Sequence, residues 1–234
     1  MGEQTESQKE KILKLLKEKS IMKQDVFRNT ITVFDMMRQV CKDMTADLKS
    51  EIDKVDKRIG ISFFDINQHA MQLKVAGDML EFYMHTNVFE FDRSHPMYKT
   101  GYIKQNELNS YCGIINIYNF LADSFAYNRL NDLGYLVARV FVNREMRFFV
   151  EAKGPLGVKY NTFSSVPLNK EQLQDIIEEL IVFVISFDLF TPPFDSVKEV
   201  SVNEMQEKTN SINLRTGKRL GYTTSASLDD EINL

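Results

Sequence analysis

Cysteine is scarce in this chain: Cys41 and Cys112 are the only two among 234 residues. Two cysteines cannot build the disulfide framework of a small secreted fold, so reduced thiols and a cytoplasmic setting are expected. Neither proline nor glycine occurs between Glu6 and Lys57, which removes the two strongest helix breakers from that stretch. Long apolar runs are missing too. The most apolar segment, Leu180 to Phe190, falls short of the roughly 20 residues that a bilayer-spanning helix needs, so it reads as core and no membrane partner is expected. The first residues, MGEQTESQKEK, have no apolar segment of the kind a secretory signal carries. Glu6 stands where a myristoylation signal wants Ser or Thr, so neither leader nor lipid anchor is expected.

An excess of positive charge is also absent. The net charge is −4 and the isoelectric point about 5.5, which excludes a broad nucleic-acid-binding face. The one basic stretch late in the chain, Asn213 to Arg219, reads as solvation of a polar arm. The ten glycines are scattered. Gly154-Pro-Leu-Gly157 lacks the Lys and Ser or Thr of a phosphate-binding loop, and no G-x-S-x-G elbow occurs. His69, His85 and His95 do not match a zinc spacing and no cysteine pair supports them, so no metal is expected.

What the chain does have is pattern. With 43% hydrophobic and 26% charged residues it has the composition of a folded protein. Residues 6 to about 57 read as long amphipathic helix. Ile12, Leu13, Leu15 and Leu16 form a narrow stripe among lysines and glutamates. Val26, Thr30, Val33, Met37, Val40 and Met44 then alternate in steps of four and three, the seam of a coiled coil. Leu48, Ile52, Val55 and Ile59 continue it after an extra four-residue step. Phe27, Ile31, Phe34 and Cys41 widen the apolar face, as on a helix packed against its own domain. Self-association and packing against the chain's own domain are both compatible with this face.

After Gly60 the period changes to two. Met71, Leu73 and Val75 alternate with polar residues, as do Leu80, Phe82 and Met84, and Gly77-Asp78 suits a type II′ hairpin turn. That turn pairs Val75 with Leu80, Leu73 with Phe82 and Met71 with Met84, and sets Glu81 opposite Lys74. Ile61 to Asn67 belongs to the first strand or to one just before it. Beyond a loop over 92–110, strands are predicted at Gly113–Leu121, Leu133–Val142 and Met146–Lys153. A three-residue loop, Asn143-Arg144-Glu145, pairs Val142 with Met146 and puts Tyr135, Val137, Arg139, Phe141, Phe149, Glu151 and Lys153 on one half-apolar face. Asn169 caps a helix whose buried stripe is Leu173, Ile176, Ile177, Leu180, Ile181 and Val184, with Gln172 completing a capping box. Thr191-Pro192-Pro193 stops it, and a polar, extended or disordered tail follows.

The fold class is therefore α+β: an N-terminal helical region over residues 1–59, a central antiparallel sheet of about five strands with one C-terminal helix over 60–190, and a tail over 191–234. This element order is shared by PAS-like, longin-like and profilin-like domains, a likeness of order alone. Two functional expectations follow. The first is a non-catalytic binding or assembly module that meets itself or another protein through the N-terminal helices. Its sheet would carry a partner or small ligand on Tyr135, Val137, Phe141 and Phe149, with no cofactor. The second is a metal-dependent nuclease, for which Glu151 and Lys153 form an acid-x-Lys strand motif and Asp132 is the available second acid. Only that second expectation calls for Mg²⁺ or Mn²⁺.

Overall fold

The computed structural model describes residues 7–187, 191 and 193–210. The basic stretch near residue 215 and the end of the expected tail lie outside them.

The chain opens with helix α1 (Gln8–Leu15), passes through one π turn (Leu16–Ser20) and continues as α2 (Ile21–Ile52). Ser7 and Glu10 form a capping box at the start, which satisfies two orphan backbone donors reciprocally. Seven strands follow in a single antiparallel sheet: β1 (Ile61–Asn67), β2 (Ala70–Val75), β3 (Asp78–Met84), β4 (Phe89–Glu90), β5 (Tyr111–Leu121), β6 (Tyr135–Asn143) and β7 (Phe148–Ala152). The spatial order is β1-β2-β3-β5-β6-β7, with β4 paired to the start of β5. The link from β4 to β5 holds two 3₁₀ turns (Pro96–Lys99 and Glu107–Ser110) around α3 (Gly101–Gln105). Then come α4 (Ala122–Ala126), α5 (Pro155–Lys159), α6 (Lys170–Ile185), α7 (Phe194–Val197) and α8 (Val202–Asn210). The architecture is α+β. The sheet has two strands more than the expected five, because Ile61–Asn67 pairs as a separate strand and β4 is added.

Helices α2 and α6 cover one face of the sheet. Val33, Phe34, Met37, Val40 and Cys41 of α2 meet Met71, Leu73, Phe82, Ile117 and Val140 of the sheet and Leu173, Ile177 and Leu180 of α6 in one core. Asp43 of α2 and Lys170 of α6 tie the helices at 2.8 Å. All six seam residues from Val26 to Met44 are buried within this single chain, so the 4-3 spacing serves a helix lying on its own sheet. The expected continuation of the seam fails: α2 ends at Ile52, and Val55 is 82% exposed. Gly113 on β5 lets α2 come close, since a Cβ there would sit 2.0 Å from Thr30 Oγ1.

Both hairpins turn one residue away from the expected position. Between β2 and β3 the loop is Ala76-Gly77, with Val75 opposite Asp78, Leu73 opposite Leu80 and Met71 opposite Phe82. Lys74 faces Met79, and Glu81 faces Gln72, so the expected Glu81–Lys74 pair does not form. Asp78 supplies the reason. It is buried, and its Oδ1 accepts a 2.9 Å hydrogen bond from Asn119 Nδ2 on β5, a partnership that a turn position would forfeit. Ala76 consequently takes the left-handed backbone (φ 54°) that glycine would favour. Between β6 and β7 the loop is Arg144-Glu145-Met146, closed by a 3.0 Å bond from Asn143 N–H to Arg147 O, with Met146 at φ 56°. Buried Asn143 organises it by accepting through Oδ1 from the N–H groups of Glu145 (3.0 Å) and Arg147 (3.1 Å), the Asx-turn role of asparagine. Each displacement changes the register by two residues, so the apolar and polar faces stay as sorted.

Helix α6 matches its expectation in cap and stripe. Asn169 and Gln172 form the capping box, and Leu173, Ile176, Ile177, Leu180, Ile181 and Val184 are its buried residues. The following segment departs from expectation: Phe194–Val197 and Val202–Asn210 are helical. Ser201 and Glu204 exchange backbone and side-chain hydrogen bonds of 2.9 and 3.1 Å, a capping box whose S-x-x-E spacing was legible in the sequence.

Candidate functional site

The half-apolar face predicted on β6 and β7 is divided by one bulge. On β5, Ile117 pairs with Ala138 and Tyr118 with Leu136, leaving Val137 without a partner in the β5 ladder. A bulge reverses the alternation on its far side. Val137 accordingly joins the core under the helices, whereas Phe141 and Phe149 point to the opposite face. Tyr135 and Val137 line a narrow slot beside α6 with Lys153, Asn119 and Phe183.

Phe141 and Phe149 are 2% and 1% exposed. Their cover is the chain itself: Met97, Ile103, Phe91 and Tyr102, all from the segment that links β4 to β5, pack there with Phe163. The rings of Phe141 and Phe149 stack at 4.5 Å and 7°. Phe91 lies 5.1 and 5.5 Å from the two, and His95 stacks on Phe91 at 4.5 Å. Such offset aromatic contacts add about 0.5–1.5 kcal/mol each beyond area burial.

Where this cover ends, a groove of about 360 Å³ opens along β7, lined by His95, Thr100, Phe149, Glu151, Asn161 and Thr162 among others. Its volume falls at the lower end of the range for small-molecule sites, about 300–1,000 Å³. The local sequence builds its rim. Asp92 Oδ1 accepts from Ser94 N–H (2.9 Å), and Pro96 takes the first position of the 3₁₀ turn, where a missing N–H costs nothing. His95 caps that turn by accepting through Nδ1 from Met97 N–H at 3.3 Å. Nε2 lies 3.5 Å from Glu151 Oε1, and Arg139 Nη2 donates to Glu151 Oε2. The guanidinium of Arg139 also lies 5.4 Å over the Phe141 ring. On the far wall Gly157 permits tight packing, since a Cβ there would meet Ala152 O at 2.1 Å. The groove thus combines an aromatic floor with a His ring nitrogen and a carboxylate held by Arg139. Its polar rim has the groups to orient a small polar molecule.

The three residues of the nuclease expectation do not converge. Glu151 is in this groove, while Lys153 lines the slot beside α6, its N–H bonded to Val137 O at 3.2 Å. The Asp132 side chain is buried in the loop before β6, where its Oδ2 accepts from Ser124 Oγ at 2.6 Å and lies 3.1 Å from Arg129 Nε. Glu151 stands opposite Arg139, four residues along β6 from the strand's start at Tyr135. At the rise of a strand that is ~13 Å, and Asp132 lies further back still. Among the described residues no three His, Cys, Asp or Glu side chains are grouped so as to hold a metal ion.

A second surface concerns the N-terminal helix. All residues from Ser7 to Glu18 are exposed, and Ile12, Leu13, Leu15, Leu16 and Ile21 are 57%, 43%, 59%, 51% and 56% accessible. The stripe is interrupted from the buried seam by the π turn, which adds a residue to the winding and rotates the preceding turns relative to α2. Just there Lys19 Nζ sits 5.1 Å over the Tyr111 ring, and hydrogen bonding to Tyr111 holds its ammonium above the usual lysine range. Tyr111 in turn donates to Glu90 at 2.5 Å. The helical turns before Lys19 are exposed along their whole length.

Of the residues named from the sequence, Phe149 and Glu151 are in the groove. Tyr135, Val137 and Lys153 share the slot, Phe141 is under the aromatic cover, and Asp132 stands apart. His95, Thr100 and Asn161 went unrecognised as neighbours of Glu151. Only the Pro after His95, a turn-opening signal, pointed toward the rim. Both thiols are buried and free, and burial pushes Cys41 and Cys112 well above the ordinary thiol range. No helix among the described residues is long and apolar enough to cross a membrane. Comparison with protein-family models, curated proteins and solved structures yields no match.

Proposed function

We propose that the protein is a non-catalytic binding and assembly module. It docks onto another protein, or a second copy, through the exposed apolar stripe of α1 and the π turn, and it holds a small ligand in the groove beside β7. The observation that carries this reading is the stripe: four large aliphatic side chains, Ile12, Leu13, Leu15 and Leu16, are exposed on a helix whose later seam, Val26 to Met44, is buried in the chain's own core. Burying four such side chains is worth on the order of 4–8 kcal/mol before the costs of association. The five lysines between Lys9 and Lys19 flank the stripe and suit a partner with acidic residues around an apolar strip. The cytoplasmic setting expected from two unpaired cysteines belongs to the same proposal.

The test pairs light scattering and pull-down on the full chain with the variant Leu13→Glu/Leu16→Glu. These positions are exposed and belong to no core cluster, so the variant should melt as the native chain does while losing the partner. A native chain that captures nothing and gains no mass by way of the stripe refutes the docking role. The groove is tested separately by a thermal-shift screen of small polar compounds on the native chain and on Glu151→Gln. A shift present in the first and absent in the second supports it, and no shift in either sinks it.

A further inference from the structure

The two edges of the sheet are treated differently by the chain. At β7 the edge is covered: Val150 N–H donates to Tyr160 O at 2.7 Å, Ser164 N–H to Phe148 O at 2.8 Å, and Phe148 N–H to Ser164 Oγ at 3.2 Å. At β1 a side chain reaches only the end of the strand, where Arg38 Nη2 donates to Asn67 O at 2.9 Å; from Ile61 to Asp65 nothing among the described residues covers the outer side.

The side of β1 that is open follows from the hairpin. Val75 and Asp78 close the two-residue loop, so odd-numbered residues of β2 bond to β3, as the 2.8 Å bond from Met84 N–H to His69 O shows. Even-numbered residues bond to β1, as in the 2.9 Å bond from Ala76 N–H to Gly60 O. Within β1, Ser62 and Phe64 therefore face β2. Ile61, Phe63 and Asp65 turn their N–H and C=O groups outward, where they meet no hydrogen-bond partner among the described residues.

Soluble proteins blunt such an edge with lysine, proline or an early bulge. The strand sequence ISFFDIN has no Lys and no Pro, and its one irregularity lies at its end, between Asp65 and Asn67. Its single charge is compensated inside the chain: Asp65 lies 3.0 Å from Arg38 Nε and 3.1 Å from Lys42 Nζ. Two copies meeting here bring no uncompensated like charges together. Phe64 and Ile66, 42% and 50% exposed, stand beside the open ladder.

We propose that β1 pairs with β1 of a second copy, antiparallel about a two-fold axis at Phe63, joining two sheets into one. The occupant is argued from the ladder. With the axis at Phe63, the outward pairs are Ile61 with Asp65 of the copy, Phe63 with Phe63, and Asp65 with Ile61. All three open residues of each chain are used, for six hydrogen bonds in all. An axis at Phe64 leaves Ile61 opposite the irregular end of the strand. In the Phe63 register Ser62 lies opposite Phe64 of the copy in a non-hydrogen-bonded pair, whose Cα atoms are about 4.5 Å apart. This surface is separate from the helix stripe, so it stands or falls independently of the docking role of α1.

The experiment uses the full chain. Light scattering over a concentration series is expected to give twice the chain mass of 27.2 kDa, to give it equally for Leu13→Glu/Leu16→Glu, and to give the single-chain mass for Phe64→Lys with an unchanged circular dichroism spectrum. The double variant Ser62→Cys/Phe64→Cys should form a disulfide-linked dimer on mild oxidation, because the spacing suits the bond; the native thiols are buried and stay out of it. Phe64→Cys alone should not. A native chain of single mass at every concentration overturns the proposal, as does a Phe64→Lys variant that stays a folded dimer. Cross-linking by Phe64→Cys alone overturns the register. Slow hydrogen exchange at Ile61, Phe63 and Asp65 in a monomeric sample assigns the edge to another segment of the chain and also overturns it.

Discussion

Replacing Gly113 by alanine tests the crossing of α2 over the sheet. A Cβ at Gly113 would lie 2.0 Å from Thr30 Oγ1 and 2.8 Å from both Thr30 Cβ and Cγ2, where carbon atoms in contact prefer about 3.5–4.0 Å. Rotation of the Thr30 side chain can move Oγ1 or Cγ2 out of the way but not both, and Cβ is fixed to the helix backbone. α2 and β5 must therefore separate by ~0.7 Å or more, loosening the packing of Val26, Val33 and Phe34 on either side. Overpacking of this kind costs roughly 1–3 kcal/mol, and because the obstacle includes backbone-fixed atoms the upper end is expected, about 3 kcal/mol. For a chain of this size that is a fall in Tm of about 6–12 °C. The backbone at Gly113 is not left-handed, so no dihedral strain confounds the result. Gly101→Ala, where nothing lies within 4 Å, is the control and should change stability by less than ~0.5 kcal/mol. Thr30→Ala alone removes the 2.7 Å bond from Oγ1 to Val26 O and should cost about 1 kcal/mol. The double variant should be more stable than the sum of the two by about 1–2 kcal/mol, read from chemical denaturation as a double-mutant cycle. A Gly113→Ala protein within 0.5 kcal/mol of native, or strict additivity with Thr30→Ala, refutes the close crossing.

Three further outcomes can be checked. Asn143→Ala removes the acceptor that sets the β6–β7 loop and a donor to Tyr102 Oη at 2.7 Å, leaving buried groups orphaned, and a loss of about 2–4 kcal/mol is expected in urea denaturation. Asn169→Ala should cost about 1 kcal/mol through the lost cap of α6, whereas a loss below 0.3 kcal/mol would mean the helix is held by its stripe alone. Glu81 is held above the usual carboxylate range by burial. A raised folded value favours folding of the protonated form, a contribution complete below the unfolded value near 4.5 and lost as pH rises through the folded value. Glu81→Gln should thus raise Tm at pH 7, and the gain should vanish toward pH 4; a gain independent of pH would show that charge is not its cause.

Much of the architecture was legible because a period needs no knowledge of its partner. The α6 stripe and its Asn169–Gln172 box could be read as they stand, and the alternation in β2, β3, β6 and β7 sorted most side chains to the right face. It did so even though both turns were displaced by one residue. Moving a turn by one changes the register by two, and a change of two keeps every side chain on its side. Where alternation is broken, the face is lost with it: the bulge at Val137 sent that residue into the core and left Phe141 and Phe149 facing the other way. The groove was half visible. Glu151 and Phe149 were marked by their strand, but His95, Thr100 and Asn161 reach them from segments whose sequence carries turn signals and no address.

The sequence alone determined which residues avoid water: the stripes of α2 and α6 and one face of each strand follow from apolar spacing and are independent of what covers them. Tertiary structure decided what does the covering. The α2 seam had the spacing of a coiled coil, and a nearby sheet claimed it because contacts within one chain need no second molecule and lose no association entropy. The aromatic pair Phe141 and Phe149 needed a cover, and the Phe91–Tyr102 segment supplied it. Asp78 is held out of its turn by a partner 41 residues away, and a bond of that range leaves no trace in local pattern. Asn143 sets its own turn through N–H groups two and four residues on, but alternation alone did not say where in the run of polar residues the strand would stop.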